Sequence, residues 1–143
     1  MKKLAILSLV LAVPLLAAAG CGGGGDDNLS KSEFVAQGNA ICKKGNAEIN
    51  TAAKKLNKNS TPAQLKSFAT DTIVPSVESQ ISQIRALDEP SADQDQVNAI
   101  LDEADAALAK VKANPTLITS NADPFAKANK KAKAYGLTVC GSG

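Results

Sequence analysis

The chain contains no histidine and no tryptophan, and only one tyrosine, three phenylalanines and one methionine among 143 residues. Each shortage removes a class of function. Without imidazole there is no Ser-His-Asp or Cys-His catalytic arrangement, and the commonest general base and metal ligand is missing. Aromatics at 3 % leave no platform on which bases or sugars could stack. The three cysteines, at 21, 42 and 140, include no Cys-x-x-Cys redox pair. Strand signals are scarce too, because apolar residues recur at spacings of 3 and 4 rather than 2. Carboxylates are present but not gathered. Asp102, Glu103 and Asp105 spread to different sides of a helix, and Asp93 and Asp95 lack the glycine turn and alternating oxygens of a calcium loop. No metal, cofactor or catalytic site is expected, and the chain does not read as an enzyme.

What is present begins at the N-terminus. Lys2 and Lys3 precede an apolar run from Leu4 to Leu16, interrupted by Pro14. These 13 residues fall short of the roughly 20 that a bilayer-crossing helix needs. Ala17-Ala18-Ala19-Gly20 then leads to Cys21, followed by four glycines and Asp26-Asp27. A charged start, a short apolar stretch and small residues before a cut make a secretory signal. The whole resembles a bacterial lipoprotein signal, in which the cysteine after a small residue is acylated and becomes the new N-terminus. The position three before that cysteine usually holds Leu, Val or Ile; here it is Ala18. The resemblance implies a signal peptide at 1–20, lipid on Cys21, and an extracytoplasmic domain anchored to the bacterial membrane. Ordinary secretion with cleavage after Ala19 is the alternative. It leaves an odd thiol in an oxidising compartment, whereas lipid on Cys21 leaves Cys42 and Cys140 as a pair. Residues 21–29 then read as the lipidated cysteine and a glycine-rich tether with a reach of about 16 Å.

Removing residues 1–20 takes Lys2 and Lys3 from the 16 basic residues, leaving 14 against 14 acidic ones. The formal charge of +2 therefore belongs to the signal. It is no argument for nucleic-acid binding.

Residues 30–143 read as one all-α domain. Ser30 and Glu33 form a capping box that starts a first helix, expected to run to about Asn59. Thr61, Pro62 and Gln64 start a second that reaches Leu87, with Pro75 in its interior as a kink. A third begins at Ser91 and carries Val97, Ile100, Leu101, Ala104, Leu108 and Val111 on one face. A fourth opens at Asp123-Pro124 and ends at Gly136, a left-handed cap with Leu137 behind it. Short links favour antiparallel neighbours, hence an up-and-down four-helix bundle. In it the end of helix four lies beside the start of helix one, which brings Cys140 within reach of Cys42. A bridge there would stabilise by about 4–5 kcal/mol in the chain-entropy model.

Charge is unevenly placed. Residues 30–59 sum to +4 and 114–143 to +3, while 60–113 sum to −5. With the first and fourth helices side by side, Lys43, Lys44, Lys54, Lys55, Lys127, Lys130, Lys131 and Lys133 form a basic half suited to anionic envelope polymer or headgroups. The plainer reading is complementarity between neighbouring helices. Gly38 and Gly45 are the second oddity, each costing about 1 kcal/mol relative to Ala inside a helix. Close helix approach explains them; a ligand cleft beside the Pro75 kink is the alternative.

Glu33-Phe34, Cys42, Tyr135-Gly136 and Cys140 together resemble a loose pattern of small helical exported domains in high-GC Gram-positive bacteria. The resemblance implies the bridge and the helical fold and no activity. The sequence thus points to a membrane-anchored, non-catalytic binding or interaction module. Its expected contacts are the membrane through lipid and an anionic envelope polymer or protein through the lysines. The alternative is a carrier of a small apolar ligand in an inter-helix cleft.

Overall fold

Two capping boxes set the first two helices. Ser30 Oγ accepts the Glu33 N–H at 3.3 Å while Glu33 accepts the Ser30 N–H at 3.0 Å. Thr61 and Gln64 exchange the same pair of bonds at 3.2 and 2.8 Å. The computed structural model describes residues 28–119 and 123–142. Cys21, the signal and most of the expected tether lie outside the described residues. Leu29, at the end of that tether, donates its N–H to Asp88 O at 2.9 Å and packs on the core.

Helix α1 spans Lys31–Ala53. It stops short of the expected Asn59 because short polar side chains take over the backbone. Asn57 Oδ1 accepts the Asn59 N–H at 2.8 Å, and Ser60 Oγ accepts the Asn57 N–H at 2.9 Å. The second expected helix forms in three consecutive stretches: α2 at Pro62–Phe68, a π-helical turn at Ala69–Ile73, and α3 at Val74–Arg85. The π turn falls just before Pro75. Proline has no N–H and its ring crowds the carbonyl four residues back, so the regular ladder is disfavoured there. The Val74 N–H reaches back five residues to Ala69 O instead.

The third helix opens as a 3-10 turn at Ser91–Asp93 before α4 runs over Gln94–Ala113. Pro115–Thr119 forms a further 3-10 turn. Asp123 Oδ1 accepts the Phe125 N–H at 2.9 Å, and α5 follows over Ala126–Tyr135. Gly136 takes φ 117°, a conformation only glycine adopts cheaply. Its N–H goes to Lys133 O and that of Leu137 to Ala132 O, at 3.2 and 2.9 Å, closing the helix as a Schellman motif. The described residues end in a 3-10 turn at Cys140–Ser142.

Every regular element among the described residues is helical. α1 packs on α3, α3 on α4 and α4 on α5, while the C-terminal turn packs on α5 and α1. Phe34, Val97, Val111 and Leu137 are the largest fully buried side chains. Phe34 meets the edge of Tyr135 at 6.1 Å between ring centroids. Burying each such side chain is worth about 1.5–3 kcal/mol. Cys42 and Cys140, 98 positions apart, are bonded, with Cα atoms 5.0 Å apart. Asn39 holds the same C-terminal segment with both ends of its amide. Its Nδ2 donates to Gly136 O at 3.1 Å and its Oδ1 accepts the Val139 N–H at 2.9 Å. Asn46 Nδ2 donates to Val139 O at 3.2 Å, one helical turn beyond Cys42.

Candidate functional site

A cleft of about 550 Å³ lies between α1, α3, α4, α5 and the C-terminal segment. Well-packed interiors hold few voids larger than a water molecule. Ligand clefts run at roughly 300–1,000 Å³, so this one is in their range. Its walls are mainly aliphatic. Ile81 and Ile84 come from α3, Ile100 and Leu101 from α4, Ile49 from α1, and Leu137 from the C-terminal segment. The Cys42–Cys140 bridge is part of the same lining. Ile73, the last residue of the π turn, adds to it.

Polar groups sit where the lining meets solvent. Asn50, Asp123 and Ser142 are exposed and border the opening. Asn46 and Asn129 are part-buried, and Gln80 is the buried polar side chain among the described lining residues. Its Nε2 donates a long 3.4 Å bond to Ser76 Oγ, which in turn donates to Gly45 O at 3.4 Å.

Gly38 and Gly45 do not line this cleft; each lies under a side chain from the facing segment. A Cβ at 38 would come within 2.6 Å of Leu137 Cδ2, and one at 45 within 2.8 Å of Gln80 Cγ. Pro75 is exposed at the start of α3 and does not line the cleft either. The glycines therefore admit close approach of the neighbouring chain. The cavity is formed instead where aliphatic side chains of four helices fail to meet. Gln80, Phe125 and Ile118 were not legible as site residues. Leu117-Ile118, an apolar pair in an otherwise polar loop, was the one signal available.

The expected basic residues are all exposed. Lys43 and Lys44 lie on α1, whereas Lys54 and Lys55 follow its end at Ala53. Lys131 donates to Glu103 at 3.3 Å, and Lys31 pairs with Asp93 at 3.4 Å. These are contacts between the basic and the acidic stretches. The other seven of the eight expected lysines make no ion pair among the described residues.

Lys31, Asp93 and Tyr135 form a separate cluster. The Tyr135 hydroxyl donates to Asp93 Oδ2 at 2.9 Å, and Lys31 Nζ lies 4.2 Å from the ring centroid. Burial, then the Asp93 carboxylate, pushes the Tyr135 phenol well above its ordinary pKa. At the other extreme of exposure, the hydroxyl and amide of Ser30 hold the Glu33 carboxyl below its usual value. Among the described residues no group of three His, Cys, Asp or Glu side chains is placed to hold a metal ion. No described helix is long and apolar enough to cross a membrane. Compared with protein-family models, with curated proteins and with solved structures, the chain matches none.

Proposed function

We propose that this chain is a lipid-tethered, extracytoplasmic, non-catalytic domain that holds a small apolar ligand between its helices. The observation that carries the reading is the 550 Å³ aliphatic cleft with its polar rim. Aliphatic walls open to water forgo apolar contacts that burial would supply. A ligand with matching hydrocarbon surface recovers them. The order of contacts, α1 to α3 to α4 to α5, supports an up-and-down bundle in which α2, the π turn and α3 act as one rod kinked near Pro75. π turns occur disproportionately at functional sites, and this one delivers Ile73 to the cleft. The tether reading rests on the residues around Cys21.

Titration with the neutral dye 1-N-phenylnaphthylamine tests the cleft. Saturable binding of one dye per chain is expected, and Ala104→Trp, which fills the lining beside Leu101, abolishes it. No saturable binding by the wild-type chain, or equal binding by the folded variant, rules the cleft out as a ligand site.

A second reading keeps the lysines as a contact surface for anionic envelope polymer, favoured by the seven exposed lysines without carboxylate partners. Such attraction is screened within about 8–10 Å at ordinary salt. Binding to teichoic-acid-type polymer should vanish at 1 M salt; binding that survives there discards this reading.

A further inference from the structure

Next to the cleft's mouth lies a second, more open groove of about 350 Å³, between the start of α5 and the C-terminal turn. Asp123, Asn129 and Ser142 border both, so the groove adjoins the cleft. Lys130 and Lys133 line the groove only, one helical turn apart on α5. Their neighbour Lys131 turns to Glu103 on α4, whereas neither of these two has a carboxylate partner among the described residues. The stem of Lys133 is packed in place against Gly141, where an added Cβ would lie 2.6 Å from Lys133 Cγ. Among the described residues one carboxylate lines the groove with them, that of Asp123. One of its oxygens accepts the Phe125 N–H that caps α5. Among the described residues the groove therefore holds two cations against one anion, beside an opening lined with hydrocarbon.

We propose that the cleft's ligand is an anionic single-chain amphiphile, with its hydrocarbon among the isoleucines and its acidic headgroup between Lys130 and Lys133. This rests on the cleft reading above and adds the charge and the polarity of the ligand. The lysines select the acid over the uncharged chain of the same length. Asn129 and Ser142, at the junction, border the position where headgroup and chain join.

The test is displacement of 1-N-phenylnaphthylamine from the full, disulfide-bonded chain by decanoate and by decanol. Decanoate is expected to displace the dye at lower concentration than decanol. Lys130→Gln/Lys133→Gln should weaken decanoate by about fivefold, as loss of two exposed charge pairs does. It should leave decanol unchanged. Lys130→Arg/Lys133→Arg should retain the preference, and Lys58→Gln/Lys66→Gln, away from the groove, should not alter it. Equal displacement by acid and alcohol, or parallel losses for both in the Gln variant, overturns the proposal and leaves the apolar cleft standing. A chain that binds no dye at all overturns both.

Discussion

Gly45 on α1 lies directly beneath the side chain of Gln80 on α3, so that a methyl group on its Cα would come within 2.8 Å of Gln80 Cγ. Two effects oppose each other at this position. Gly→Ala in a helix interior gains about 1 kcal/mol of propensity. Overpacking a fitted contact costs about 1–3 kcal/mol. The blocking atoms include Cγ, near the root of the Gln80 side chain, which cannot swing away freely. Gly45→Ala is therefore expected to lower stability by about 1 kcal/mol net in urea unfolding. Adding Gln80→Ala should return most of it, since the smaller side chain clears the space. A Gly45→Ala chain more stable than wild type would mean that Gln80 moves aside easily.

Asn39 clamps the C-terminal segment through both ends of one amide. Asn39→Ala leaves the Gly136 carbonyl and the Val139 N–H without these partners, in a part-buried setting. Such losses cost about 1–3 kcal/mol each before water substitutes. A drop of about 2 kcal/mol is expected, with early loss of hydrogen-exchange protection at Val139. Asn39→Asp keeps the acceptor for Val139 and loses the donor to Gly136, so it should fall between. Unchanged exchange at Val139 in the Ala variant would show that the disulfide alone holds the segment.

The local signals in the sequence were strong where a side chain acts on its own backbone. The boxes at Ser30 and Thr61, the cap at Gly136 and the apolar face of α4 are all chemistry within one turn, and all are found. The end of α1 was less legible, because the run to Leu56 keeps its spacing while Asn57, Asn59 and Ser60 quietly offer the backbone other partners. The π turn was signalled by Pro75 but not described by it. A proline says that the ladder must change, not whether it bends or widens. The cleft lined by the isoleucines was not legible, for a different reason. Gly38 and Gly45 announce space at the level of one residue, and Leu137 and Gln80 fill it. A cavity is a shortfall of volume among many side chains, and no single position in the chain records it. Gln80 is buried, but a polar side chain adds nothing to the apolar spacing by which an inward face is read.

Tyr135 is the chain's single tyrosine, and there is no tryptophan, so its ionisation can be read directly by absorbance at 295 nm. Burial and the bond to Asp93 keep the proton on the phenol in the folded state. In the unfolded chain the phenol titrates near pH 10. Above that pH the unfolded state has lost a proton the native state keeps, so stability falls as pH rises. Below it the contribution is present in full. The expected titration is flat through pH 10–11 and then steep, coincident with unfolding. Tyr135→Phe loses the Asp93 bond but also this alkaline decline. A smooth phenolate titration near pH 10 in a chain that stays folded would place the hydroxyl in water.

The disulfide has two separable roles, because Cys42 and Cys140 both close a long loop and line the cleft. Cross-linking residues 98 apart should contribute about 4–5 kcal/mol through the unfolded state. That is a large part of the roughly 5–15 kcal/mol that holds a domain together. Reduction, or Cys42→Ala/Cys140→Ala, should therefore shift the urea midpoint sharply while leaving the chain folded without denaturant at low temperature. Under those conditions the second role appears. The segment carrying Leu137 is then held to α1 by the Asn39 and Asn46 bonds and by the packing of Leu137 over Gly38, and it forms one wall of the cleft. A wall that opens part of the time reduces apparent affinity by the fraction of time it is closed. Dye binding in the folded, reduced chain should weaken by about tenfold, and Asn39→Ala in that background should weaken it further. If affinity is unchanged while stability falls, these contacts suffice to keep the wall shut and the bridge acts on the unfolded chain alone. If neither changes, the bridge does not form in solution, and the cleft must be bounded by something other than this segment.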